Sequence, residues 1–71
     1  MTPKEKALEL WWKFYNRIEH TLSEEYSVHE NFIAKQLALI TVDELIYETQ
    51  FEVPNIRQRY WIDVKQEIEL L

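Results

Sequence analysis

Apolar positions along the first third of the chain recur in helical steps. Leu8, Trp11, Tyr15, Ile18 and Leu22 alternate by three and four residues, the pattern of one helix face. Ala7, Leu10, Trp12 and Phe14 widen that face to about 200°, well beyond the roughly 100° stripe of an ordinary surface helix. Before it stands "TPKE", a capping box in which Thr2 is the N-cap, Pro3 suits the first helical position and Glu5 reaches back. A helix over about 3–22 is predicted.

The middle of the chain behaves differently. "AKQLALITVDELI", residues 34–46, is apolar almost all the way round, yet Lys35, Gln36, Asp43 and Glu44 sit within it. After the break at "SEEYS", Ser27 and Glu30 form a second capping box, opening a helix over about 28–50 that is roughly 34 Å long. One stripe of this helix holds Ile33, Ile40, Tyr47 and Phe51. A second, on the far side, holds Ala34, Ala38, Val42 and Leu45, with Leu39 and Ile46 beside it. The small residues Ala34 and Ala38 suit close approach by another helix. Pro54 disfavours helical geometry at Val53. Asn55, with Gln58 at the third helical position, is expected to cap a last helix over about 56–71. Ile56, Tyr60, Trp61, Val64, Ile68 and Leu71 share one side of it. No segment alternates with period two, so strands are not expected.

Short loops make consecutive helices antiparallel neighbours. The pattern therefore predicts an all-α, three-helix up-down-up bundle occupying residues 1–71 as a single domain. Its apolar surface exceeds what such a bundle hides, and a chain of 71 residues buries only about 60% of its unfolded surface. Assembly into a homo-oligomer is expected to supply the missing core.

Composition narrows the function. With Cys 0 there is neither a disulfide nor a thiolate metal site, and with Gly 0 no phosphate-cradling loop. An aromatic content of 14% is too rich for a disordered chain. The net charge of −5 disfavours binding to duplex nucleic acid or an anionic membrane. No apolar run resembles a signal peptide or a membrane span, so a cytoplasmic location is expected.

Catalytic chemistry finds little purchase, and no enzyme, metal or cofactor is expected. His20 and His29, the only imidazoles, form no zinc or di-iron spacing and read as solvated side chains. Glu44, Glu48 and Glu52 recur every four residues as an acidic ridge. Helical nucleotide pyrophosphohydrolases space such carboxylates three apart, so a solvated ridge is the plainer reading than a magnesium site. Asp43, in line with Gln36 and flanked by apolar residues, is expected to be partly buried with Lys35, Arg57 or Tyr60 as partner.

"NIRQRYW" carries more information. Arg57 stands four residues before Trp61, a spacing that permits a cation–π contact. Arginines beside aromatics suit a planar ligand bearing phosphate. Arg57, Arg59 and Lys35 would grip phosphate, while Trp61, Tyr60 and Trp12 stack on a base. The competing reading pairs Arg57 with Asp43 or a glutamate and places Trp61 in the core.

"TPKEKA", "AKQLALITVDELI" and "YWIDVKQEIELL" together resemble small proteins of tailed bacteriophages and prophages. In those an A-K-Q segment leads into V-D-E-I, followed by Y-W and V-K-x-E-I. The resemblance omits residues 26–32 and 49–58. It implies a phage origin and hence the host-cell cytoplasm, and it implies no activity. In architecture alone the chain is similar to phage sponge proteins, helical oligomers that sequester cyclic nucleotide signals, though no sponge motif matches. Two functions are expected to compete: sequestration of a nucleotide-like immune signal at subunit interfaces, as a counter-defence protein, or docking to a host protein as its inhibitor. A structural oligomer without ligand is the third.

Overall fold

The structure, a computed structural model, describes residues 1–19 and 27–71, with the side chains of residues 19 and 27–29 left aside. It contains three helices, α1 (Pro3–Glu19), α2 (Ser27–Thr49) and α3 (Ile56–Glu69), each packed against both others. Among the described residues there is no strand. His20, Leu22 and the side chains of Ser27 and His29 lie outside the described residues. So does the expected Ser27 capping box.

α1 begins where its sequence directs. The Thr2 backbone N–H donates to Glu5 Oε1 at 3.1 Å and the Glu5 N–H donates to Thr2 Oγ1 at 3.2 Å, so the reciprocal box is closed. The bond from the Thr2 backbone holds the Glu5 carboxyl below its ordinary value, and the Thr2 hydroxyl adds to the effect.

α2 ends at Thr49, whose hydroxyl is buried and donates to the Leu45 carbonyl at 2.7 Å. Such back-bonding satisfies a hydroxyl that would otherwise be costly to bury. Glu52 therefore lies in the following turn rather than on the helix, and the acidic ridge stops at Glu48. The Val53–Pro54 peptide bond in that turn is cis.

α3 starts without the expected capping box. The Asn55 side chain makes no cap bond. Gln58 turns instead toward α2, where its amide donates to the Ile46 carbonyl at 3.4 Å. Inter-helix reach outcompetes the local cap because Gln58 is half-buried against α2. Two other bonds fix the ends of the bundle. Tyr60 Oη donates to the Met1 carbonyl at 3.1 Å, and Lys35 Nζ donates to the Glu69 carbonyl at 2.9 Å. The second places a cation on the C-terminal carbonyls of α3, where the helix dipole favours it.

The core is narrow. Ala7, Ala34, Ala38, Val42, Val64 and Ile68 are fully buried, and half of these are alanine. Leu10, Phe14, Leu39, Ile46, Tyr60 and Trp61 pack around them, partly exposed. Alanine at the contacts lets helix axes approach closely, at the cost of apolar volume between them. The result is a rod of 46 × 19 × 15 Å. Its radius of gyration is 13.4 Å, against about 11 Å for an average globular chain of this length. A rod this thin cannot enclose the apolar residues its sequence supplies. Leu8, Trp12, Ile33, Ile40, Tyr47, Phe51 and Ile62 are among the large apolar side chains left in solvent.

Candidate functional site: an uncovered apolar face and dispersed cations

The residues expected to form a phosphate and base pocket separate in a single chain. Arg57 is exposed at the start of α3, and its guanidinium pairs with Glu52 at 3.2 Å. This is the glutamate pairing that competed with the cation–π reading, and it is a surface contact. Arg59 is also exposed, with no ion pair among the described residues. Tyr60 and Trp61 meet edge to face, centroids 5.1 Å apart, and both pack on the core. Lys35 stands at the far end of α3, bonded to Glu69. Twelve residues separate Glu69 from Arg57 along that helix, about 18 Å at 1.5 Å per residue. Lys35 and Arg57 of one chain do not converge.

Asp43 corrects another expectation. It is exposed rather than partly buried, and its partner is Lys65 of α3 at 2.9 Å, not Lys35, Arg57 or Tyr60. The hydrogen bond to Asp43 raises the Lys65 pKa, and the nearby negative charge acts in the same direction. The physical reason is register. Lys65 follows fully buried Val64, at the edge of the face that α3 presents to the bundle, and from there it reaches the flank of α2. Spacing within one helix could not reveal that inter-helix register.

Trp12 belongs to a different feature. It stacks on Tyr15 (5.9 Å, 16°), which stacks in turn on Trp11 (4.9 Å, 19°). Trp11 Nε1 donates to Asn31 Oδ1 of α2 at 3.0 Å, while Trp12 is 53% exposed. A shallow groove of about 560 Å³ runs beside α1, lined by Leu10, Lys13, Phe14, Asn16 and Arg17. A smaller one of about 250 Å³ is lined by Leu8, Trp11, Asn31 and Leu71. Neither includes any of the six residues predicted to bind a nucleotide. Among the described residues no group of three or more His, Asp or Glu is arranged to hold a metal, and no helix is long and apolar enough to cross a membrane.

The feature that the fold does assemble is the outer face of α2. Ala34, Ala38, Val42 and Thr49 point into the bundle, so the opposite side faces solvent. That side carries Ile33, Ile40 and Tyr47 at seven-residue intervals, with Phe51 just beyond the helix end. Ile40 is 59% exposed, Tyr47 67% and Phe51 86%. Seven residues fall about 20° short of two full turns, so the three helical positions form one nearly straight line. The sequence supplied both stripes of α2; it did not say which one the bundle takes.

The described chain is thus an all-α, three-helix protein with an apolar face left open. Compared with protein-family models, curated proteins and solved structures, it gives no match.

Proposed function

We propose that this is a non-enzymatic binding protein whose working surface is the outer face of α2, acting by docking that face to a polypeptide. The proposal includes an up-down-up course of the helices, supported by the Gln58–Ile46, Lys35–Glu69 and Tyr60–Met1 bonds at opposite ends of the rod. The observation that carries the reading is the line of Ile33, Ile40, Tyr47 and Phe51 in solvent. Tyr47 and Phe51 alone expose on the order of 300 Å², taking roughly 200 Å² per aromatic side chain. With the two isoleucines the patch reaches the size typical of an interaction site on a small soluble protein. In the phage setting implied by the sequence resemblance, the place of action is the host cytoplasm and an inhibited host protein is one class of partner. Size-exclusion chromatography of cell extract tests the reading. The wild-type chain elutes within a polypeptide assembly, of itself or with another chain, and Ile40→Glu elutes as the free 8.8 kDa chain. Elution of both as the free chain overturns it.

Sequestration of a nucleotide-like signal is the second reading. Exposed Arg59, which has no ion pair among the described residues, and the open ring of Trp12 favour it. With Lys35 and Arg57 at opposite ends of α3, a pocket using both has to lie between copies of the chain. Calorimetry with a panel of cyclic di- and trinucleotides gives saturable heats if this reading holds; silence across the panel removes it.

A further inference from the structure

We infer that the occupant of the α2 outer face is the same face of a second copy, arranged antiparallel about a two-fold axis near Ile40. The inference rests on the docking reading above and names its partner. Ile33, Ile40 and Tyr47, with half-buried Leu37 beside them, form a seam at the spacing by which two helices interlock. A seam that is its own complement satisfies the geometry of a two-fold interface, in which one patch meets itself.

Charge selects the orientation. Asp43 is already paired with Lys65, while Glu44 and Glu48 have no ion partner among the described residues. Glu44 stands about 40° from Ile40 and about 20° from Leu37, inside the arc that Leu37, Ile40 and Tyr47 span. Parallel pairing in register sets Glu44 directly against its symmetry mate, two carboxylates facing each other in a drying seam, which is strongly unfavourable. Antiparallel pairing about Ile40 sets Ile33 beside the partner's Tyr47. It also moves the two Glu44 residues eight positions apart, about 12 Å along the axis. That exceeds the roughly 8 Å over which charges are felt at physiological salt. Phe51 at each end extends the contact past the helix itself. Each copy contributes several hundred Å² of apolar surface, below the roughly 800 Å² per partner of a standard stable interface, so a reversible dimer is the expected strength.

Antiparallel pairing has one more consequence. It lays the Arg57 end of one rod along the Lys35 end of the other, bringing together the ends that a single chain holds apart.

Sedimentation of the purified full-length chain, from micromolar to hundreds of micromolar, tests the inference. The expected result is a concentration-dependent shift from 8.8 kDa toward twice that mass. Ile40→Glu should weaken the dimer by on the order of 100-fold or more, since it sets two carboxylates at the axis. Its far-UV circular dichroism should stay that of the wild type, because Ile40 lies outside the core. Orientation is read by disulfide trapping, which is clean because the chain has Cys 0. Ile33→Cys mixed with Tyr47→Cys should cross-link, and each alone should not. A chain that stays at 8.8 kDa throughout overturns self-pairing, and self-linking of each single variant overturns the antiparallel arrangement. The docking reading survives either result if cell extract still yields an assembly that Ile40→Glu dissolves.

Discussion

Val42 and Ile40 are two positions apart on α2 and face opposite ways, so trimming each to alanine tests the rotation of that helix directly. Val42 is fully buried among Ala7, Ala38, Val64 and Ile68. Val42→Ala removes two buried carbons and leaves a small cavity in a core with few large side chains to collapse into it. At about 0.8 kcal/mol per carbon for transfer, plus a cavity contribution, the loss is about 2 kcal/mol. A domain of this length is stabilised by only about 4–10 kcal/mol in total. The melting temperature should therefore fall by roughly 8–16 °C. Ile40 keeps 59% of its surface in water when the chain is monomeric. Ile40→Ala forfeits little burial and gains about 0.4 kcal/mol of helix propensity, so its net effect is within about 0.5 kcal/mol. Thermal melts followed by circular dichroism at low micromolar concentration, below dimer formation, measure both. Equal losses, or a larger loss for Ile40→Ala, would refute the assignment of the inner and outer faces of α2. At high concentration the ranking should narrow, because Ile40→Ala then also loses the stabilisation that assembly lends the folded chain.

Thr2→Ala opens the capping box at the start of α1 and should lower the melting temperature by a few degrees, with helix content otherwise kept. Because the folded pKa of Glu5 is depressed, its contribution is present above the ordinary carboxylate range and fades as pH falls through the depressed value. Thr2→Ala removes the hydroxyl but keeps the backbone N–H, so it should reduce this part of an acid titration of stability, while Glu5→Gln should abolish it. Lys65 has a raised folded pKa, so its contribution is present below the ordinary lysine value and is lost as pH rises through the raised one. Lys65→Gln should remove that alkaline dependence, and an unchanged profile would show that the Asp43 contact does not persist in solution. Added salt should tighten the dimer, since it screens the general repulsion between two chains that each carry a net charge of −5; weakening by salt would mean that ion pairs hold the copies together.

Much of the fold is legible in the sequence because its determinants are local. The Thr2–Glu5 box, the three-and-four spacing of α1 and the interruption at Pro54 act within a few residues, and the structure places helices accordingly. Failures begin where two elements compete for one side chain. Gln58 has a local use as a cap and a distant use at the Ile46 carbonyl, and the distant one prevails. Asp43 meets Lys65, which no spacing within one helix selects. The same limit explains the dispersed cations. Arg57 and Lys35 both look available along the chain, but one is spent on Glu52 and the other on the end of α3. Aromatic and arginine content suggested a pocket; the helix axes decide whether one forms.

The open face of α2 follows from the number of its neighbours rather than from their size. Ala34 and Ala38 let α1 and α3 approach closely, which makes the bundle thin. Larger residues there would push the neighbours apart and thicken the rod, without bringing either of them round to Ile40. A helix in a three-helix bundle has two neighbours, and both lie on one side of it. The second stripe is therefore left to solvent in a single chain, and in the proposed dimer the partner's copy of it is the third neighbour. Glu44 then constrains how that neighbour approaches. Beside the apolar line, it is hydrated at no cost while the face meets solvent, and bears on pairing only when a second helix covers it. Across an antiparallel two-fold it becomes a register device, because sliding the copies along each other brings the carboxylates toward one another or uncovers Tyr47 and Phe51.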